Sequence, residues 1–213
     1  IAHEIKNPLA AMLTGVQLLS RSLDDKQRKI GDRLEREIHV LDRIVKDFLA
    51  FARGAAGKPE EITMGAVIAR VRQQLTEPQE NALKLDGDPK IELFIDSVAL
   101  VQALANLIKN AAQAAIEAEH EDGRKPSVTL KHRVRGEDLI LDIIDNGLGV
   151  TESVKGRLFS PFVSGRSEGT GLGLAIVRRF VEDMRGEVEL LTSATSGTHF
   201  VLRVPLGRKD GSA

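Results

Sequence analysis

The sequence predicts an all-α helical hairpin followed by an α/β two-layer sandwich, and three observations predict it. From residue 1 to residue 53 apolar side chains recur at helical spacing with no strand signal. Gly54-Ala55-Ala56-Gly57-Lys58-Pro59 then interrupts regular structure. Beyond it, short alternating strand patterns are interleaved with three helical ones, the mark of a mixed α/β layer.

The elements follow in order. Ile5, Leu9, Met12, Leu13, Val16, Leu19 and Leu23 trace one helical stripe up to about residue 22, where Asp24-Asp25 breaks it. A second stripe through Ile30, Leu34, Ile38, Leu41, Ile44, Val45, Phe48 and Leu49 approaches a heptad over Lys26 to Arg53, about 40 Å at the helical rise. Two helices bury too little to stand alone. Pairing with a second copy into a four-helix bundle covers both stripes, so a homodimer is expected, with packing on the downstream domain as the alternative. Residues 1–53 thus form a dimerisation hairpin, 54–60 a hinge linker, 61–207 a mixed domain and 208–213 a C-terminal tail. Within the mixed domain the pattern predicts a helix over 65–76, strands at 83–86 and 91–95, and a long helix from about Ser97, its expected cap, to Glu119. A hairpin of strands at 127–135 and 138–145 turns at Arg135-Gly136-Glu137. A helix from about Gly171 to Met184 and strands at 187–193 and 198–205 complete the layer, with helices on one face of the sheet.

Composition narrows the function. With 42% hydrophobic and 29% charged residues the chain can bury a core and keep a soluble surface. A net charge of −1 and no basic stripe argue against a nucleic-acid partner. The absence of cysteine excludes disulfides and thiolate metal sites. No run of eighteen apolar residues occurs, so no membrane span is expected in this fragment. Because it starts with Ile, an upstream part is expected, and any sensor or membrane anchor would lie there. The fragment itself is expected in the cytoplasm.

Five stretches carry chemistry. In His3-Glu4-Ile5-Lys6-Asn7-Pro8-Leu9 a neutral imidazole is a competent nucleophile, Glu4 can take the proton it sheds, and Asn7, one turn on, can orient a water. Pro8 bends the helix just past the histidine. Asn106 and Asn110 share a helix face with Lys109 beside them; amide oxygens suit a hard cation and lysine suits phosphate, although a pair of solvated polars reads the same way. Asp145-Asn146-Gly147-Leu148-Gly149 puts a carboxylate before a glycine turn, where it can accept from an exocyclic amino group while glycines admit a flat base; a plain turn is the other reading. Phe159 to Thr170, with Phe162 and Arg166, has little periodicity, as a lid over a ligand or an ordinary surface loop would. Gly169-Thr170-Gly171-Leu172-Gly173 opens a helix whose free amides can cradle phosphate. Neither Rossmann context nor a Walker lysine accompanies it.

These five stretches, in this order behind a helical hairpin, resemble the sensor histidine kinases of bacterial two-component systems with a HisKA-type dimerisation domain. The resemblance spans almost the whole chain. It implies a GHKL-type (Bergerat-like) ATP-binding fold, shared with Hsp90-type chaperones and MutL-type ATPases, which lack the histidine hairpin. It implies an ATP-dependent autokinase in which His3 accepts the γ-phosphoryl group, Glu4 is the general base, and Asn7 orients water for the reverse, phosphatase activity. The phosphoryl group would pass on to an aspartate of a cognate response regulator receiver domain. Asn110 would bind Mg²⁺ with Asn106 nearby, Asp145 would read the adenine amino group, and Gly147 and Gly149 would shape the base pocket. Lys109 and Arg166 would face phosphates, and Gly171 and Gly173 would line their path. Phe159, Phe162, Gly169, Thr170, Leu172 and Thr198 complete the expected ATP-binding set. The His-Glu-Ile-Lys-Asn-Pro-Leu wording is similar to that of the nitrogen-regulation kinases. Met184-Arg185-Gly186 departs from the family's usual His-Gly-Gly, and Arg166 stands where lysine is common. The alternative is an ATP-gated conformational module without phosphohistidine.

Overall fold

The computed structural model describes residues 2–20, 25–53, 57–163, 170–194 and 197–207. The chain divides into two compact units, Ile1–Ala52 and Arg53–Ala213. Residues 54–56 of the expected 54–60 hinge, the Asp24 break and the tail at 208–213 lie outside the described residues.

The first unit consists of α1 (Ala2–Ser20) and α2 (Asp25–Arg53). Gln17 Nε2 on α1 donates to Glu35 Oε1 on α2 at 2.7 Å, joining the two helices. Pro8 lies within α1, early enough that little of the helix precedes it. Much of both stripes is exposed: Met12 and Leu19 of the first and Ile30, Leu34, Leu41 and Phe48 of the second remain open to solvent, as does Leu18. So many large apolar side chains on one slender unit are far more than a stable monomer exposes.

The second unit is a layer of helices on a sheet. A two-stranded antiparallel sheet pairs β1 (Glu60–Thr63) with β3 (Glu92–Ile95). Between them run α3 (Met64–Arg72), α4 (Glu77–Ala82) and β2 (Leu83–Asp86). Then come α5 (Ser97–Asp122), β4 (Val128–Arg135), β5 (Asp138–Asp145), α6 (Glu152–Lys155), α7 (Gly173–Asp183), β6 (Glu187–Ala194) and β7 (Gly197–Pro205). The main sheet has the order β2-β4-β5-β7-β6, with only β2 and β4 parallel.

Strand alternation decides what faces the helices. Leu139, Leu141 and Ile143 of β5 are fully buried, alongside Val128 and Leu130 of β4 and Leu202 and Val204 of β7. The α5 stripe through Leu100, Leu104, Leu107, Ile108, Ala111 and Ala115 lies buried with them, its small residues admitting close approach. The carboxylate of Asp145 ends the inward row 139-141-143-145, and is buried because of that register.

The sequence expectations need four corrections. Residue 60 opens β1 instead of closing the linker. The helix expected over 65–76 stops at Arg72, and a separate α4 follows. Asp96, not Ser97, caps α5: its Oδ1 accepts from the Ala99 amide at 3.0 Å, leaving Ser97 buried against Arg70 Nη1 at 2.8 Å. The late helix begins at Gly173, two residues after the expected start, because Gly171 takes φ +67.

Two features of the fold carry predictions. Arg185, in the Met184-Arg185-Gly186 departure, adopts φ 59, a conformation that costs an L side chain and is natural to glycine. Arg185→Gly is therefore expected to stabilise the second unit by about 0.5–1 kcal/mol after glycine's unfolded-state entropy is subtracted, read as a rise in thermal midpoint. On the outer sheet face, Asp142 accepts from His199 Nε2 at 2.8 Å and pairs with Arg133. Burial pushes its carboxyl up, but the His199 and Arg133 hydrogen bonds outweigh burial and hold it below the ordinary value. A depressed folded-state value contributes stability at pH above the unfolded value of about 3.9, lost as pH falls through the folded one. Asp142→Asn should flatten the acid limb of the unfolding curve below about pH 4.

Candidate ATP-binding site

Where the sheet's inner face meets α5 and the start of α7, most of the expected nucleotide residues converge. Asp145 is only 6% exposed and organises one side. Its Oδ1 accepts from the Gly147 amide at 2.8 Å and the Thr198 amide at 3.2 Å, while its Oδ2 accepts from the Thr198 hydroxyl. Thr198 enters from β7, so residues 53 positions apart hold one carboxylate in a fixed orientation. A carboxylate fixed this way is an acceptor set for an amino group, with no donor of its own.

Gly147 is required by contact. A Cβ there would lie 2.5 Å from Ala114 Cβ and 2.6 Å from Ala114 C, so the loop after β5 presses directly on α5. Gly149 adopts φ +79, and Leu148 is exposed.

The α5 face carries the amides. Asn106 Nδ2 donates back to the Gln102 carbonyl at 3.0 Å, fixing its rotamer. Asn110 lies one turn on, against α7: a Cβ added at Gly173 would stand 3.3 Å from Asn110 Nδ2. Lys109, between them, is half-buried. At the head of α7, Leu172 supplies no side-chain cap, and the first-turn amides of a helix have no intrahelical acceptor. An amide side chain beside a helix N-terminus suits phosphate and the cation that travels with it.

Phe159 and Phe162 part company. Phe159 lies edge-on to the buried Phe200, ring centroids 6.2 Å apart at 76°. Phe162 is 67% exposed with φ 64. Gly171 meets its backbone: a Cβ at 171 would fall 2.5 Å from the Phe162 carbonyl carbon. Phe162 and Val163 therefore lie directly against Gly171. Thr170 Oγ1 accepts from the Leu172 amide at 3.3 Å, and Leu172 is buried. Arg166 and Gly169 lie outside the described residues. His3, Glu4 and Asn7 lie on the first two turns of α1, in the other unit. Among the described residues there is no cluster of three or more His, Asp or Glu to hold a metal by protein ligands alone.

Two family models match the chain. Residues 95–208 match the histidine kinase-, DNA gyrase B-, and HSP90-like ATPases, and residues 1–57 match the His Kinase A phospho-acceptor domain. The chain belongs to the sensor histidine kinases.

This histidine kinase chain is 35% identical over 200 residues to nitrogen regulation protein NtrY of Azorhizobium caulinodans, covering 89% of this chain and 26% of that protein. It is 33% identical to the sensory histidine kinase/phosphatase NtrB of Escherichia coli O157:H7, covering 97% of this chain and 61% of NtrB. The chain thus spans about a quarter of the NtrY relative and three fifths of the NtrB ones. Among solved structures, full-length ShkA in complex with AMPPNP superposes with a TM-score of 0.73 at 26% identity, covering 96% of this chain and 44% of that one. The Acinetobacter baumannii kinase AdeS gives 0.64 at 22% identity over 98% of this chain and all of that one, a likeness of fold. The second unit is the kinase's ATP-binding GHKL domain. No helix among the described residues is long and apolar enough to cross a membrane.

Proposed function

We propose that the chain is the core of an ATP-dependent protein-histidine kinase that phosphorylates itself on His3 and passes the phosphoryl group to an aspartate of a response regulator receiver domain. The observation that carries this is the convergence of Asp145, anchored by Thr198 and Gly147, with Asn110 and the uncapped start of α7 at Gly173. Asp145 accepts from the adenine amino group, and the α7 amides, Gly171 and Gly173 receive the phosphates, with Lys109 and Arg166 adding positive charge. Gly147 and Gly149 keep the base pocket open to a flat ring. Phe159, Phe162, Gly169, Thr170 and Leu172 frame the ligand. The donor chemistry fits Mg²⁺, which would be held by the Asn110 side-chain oxygen together with substrate phosphates, with Asn106 nearby. When bound, that ion neutralises phosphate charge.

On α1, Glu4 takes the proton from the attacking imidazole of His3, and Asn7 serves the reverse, phosphatase reaction by orienting water. In-line transfer demands that the γ-phosphoryl group and the His3 ring be brought within reach of each other, for which the Gly- and Pro-containing sequence at 54–59 suits as a linker. The exposed α1 and α2 stripe supports a homodimer: a second copy would bury it. We place this core in the cytoplasm, where ATP is available.

The competing reading is an ATP-gated clamp. His3→Gln separates the two: a kinase loses covalent phosphate entirely and keeps its ADP affinity within about twofold, since the substitution is not in the nucleotide unit. Undiminished phosphorylation of His3→Gln would sink the assignment. Label that never passes from the chain to any receiver domain would remove the transfer step alone.

A further inference from the structure

Asn146 sits between the two residues assigned to base recognition, yet all its hydrogen-bonding groups are engaged by residues 124–127. Its amide donates to the Ser127 carbonyl at 3.2 Å. Its Oδ1 accepts from the Ser127 amide at 2.9 Å and its Nδ2 donates to the Lys125 carbonyl at 2.9 Å, so only one orientation of the side-chain amide serves both. Its carbonyl accepts from Arg124 Nη1 at 3.0 Å. Arg124 is itself gripped: its Nε lies 2.8 Å and 2.7 Å from the two Asp122 oxygens, its Nη2 pairs with Oδ2, and its backbone amide donates to Oδ1 at 3.1 Å. Asp122 is the last residue of α5, and Gly123 closes that helix with φ 75 and an amide bond to the Glu119 carbonyl at 2.8 Å.

The Asn146 carbonyl and the Gly147 amide belong to one peptide unit. Arg124 holds its oxygen while Asp145 Oδ1 holds its N–H. A cation on the carbonyl polarises the peptide and strengthens the bond the N–H donates, while its planarity ties the two directions together. The orientation of the Asp145 carboxylate is thus referred, through one rigid plane, to the end of α5.

We infer that Arg124 and Asn146 are positioning residues for base selection, a clasp between the α5–β4 connection and the Asp145 loop that sets how strictly Asp145 discriminates adenine. The inference rests on the reading of Asp145 as the base acceptor. A clasp that merely stabilised the fold would lower the thermal midpoint and leave the preference between bases unchanged, because folded molecules would bind as before.

The test is calorimetric titration of the whole chain with ADP and with GDP, for wild type, Arg124→Ala, Arg124→Lys and Asn146→Ala. Wild type should prefer ADP. Arg124→Ala should weaken ADP about threefold to tenfold, the worth of a charge-assisted bond, with GDP unchanged, so that the ratio contracts. Arg124→Lys, which keeps one donor, should recover part of the preference. Asn146→Ala should contract the ratio at least as far. Arg124 is partly exposed, so its variants keep the experiment informative if Asn146→Ala does not fold. An unchanged ADP-to-GDP ratio in folded Arg124→Ala overturns the clasp. A wild type without base preference overturns the Asp145 reading beneath it, a distinguishable failure.

Discussion

Asp145→Asn is expected to reduce ADP affinity by about two orders of magnitude while leaving the fold nearly intact. The two effects separate for a physical reason. An asparagine oxygen still accepts from the Gly147 and Thr198 amides, and the Thr198 hydroxyl can rotate to accept from the new NH₂, so the internal contacts are largely kept. The acceptor meant for the base amino group, however, has become a donor, and two donors facing each other in a buried site cost more than a lost bond. Titration with ADP should show the loss, and the thermal midpoint should move by only a few degrees. Full ADP affinity in Asp145→Asn would remove Asp145 from base recognition.

Gly147→Ala should do the reverse, damaging fold and site together. The added methyl would meet the Ala114 backbone and side chain at 2.5–2.8 Å, and neither can step aside because Ala114 lies in the middle of α5. Relief requires the loop after β5 to leave α5, at about 1–3 kcal/mol of overpacking. That movement carries Gly147 away from Asp145 Oδ1 and separates the base side of the site from Asn106 and Asn110. The thermal midpoint should fall by several degrees and ADP binding by more than about tenfold. A variant with wild-type midpoint and affinity would show that the contact with Ala114 does not position the loop.

Legibility in the sequence followed the strength of the periodic signal. The β4–β5 hairpin and the late strands are runs of eight or nine residues bounded by turns, β4 alternating apolar and polar residues, and their positions were readable to within a residue. β1, four residues reading Glu-Glu-Ile-Thr, has no alternation and exists because β3 pairs with it. α4 did leave a signal: Thr76 and Gln79 have capping-box spacing, and the Gln79 side chain accepts from the Thr76 amide at 3.0 Å, with Pro78 in the first turn. The cap of α5 fell to Asp96 because two capable residues stand side by side, and packing against Arg70 took Ser97 out of contention.

The site was legible as a set of residue types and illegible as a set of contacts. That Asp145 and Asn110 belong to one pocket follows from resemblance; that Thr198 fixes the carboxylate, and that Ala114 receives Gly147, depends on which strands and helices become neighbours. The clasp of Arg124 and Asn146 escaped notice because the side-chain bonds that make it run to backbone groups 19 to 22 positions away, which no local pattern encodes.

The central claim, that this chain carries phosphate on a histidine, is tested most directly by incubating it with Mg²⁺ and γ-labelled ATP and following the chemistry of the label. The account predicts label that survives alkali, is released by acid, maps to the α1 peptide and is absent from His3→Gln. A chain that binds ADP yet gains no label, or gains label that acid leaves in place, would contradict it.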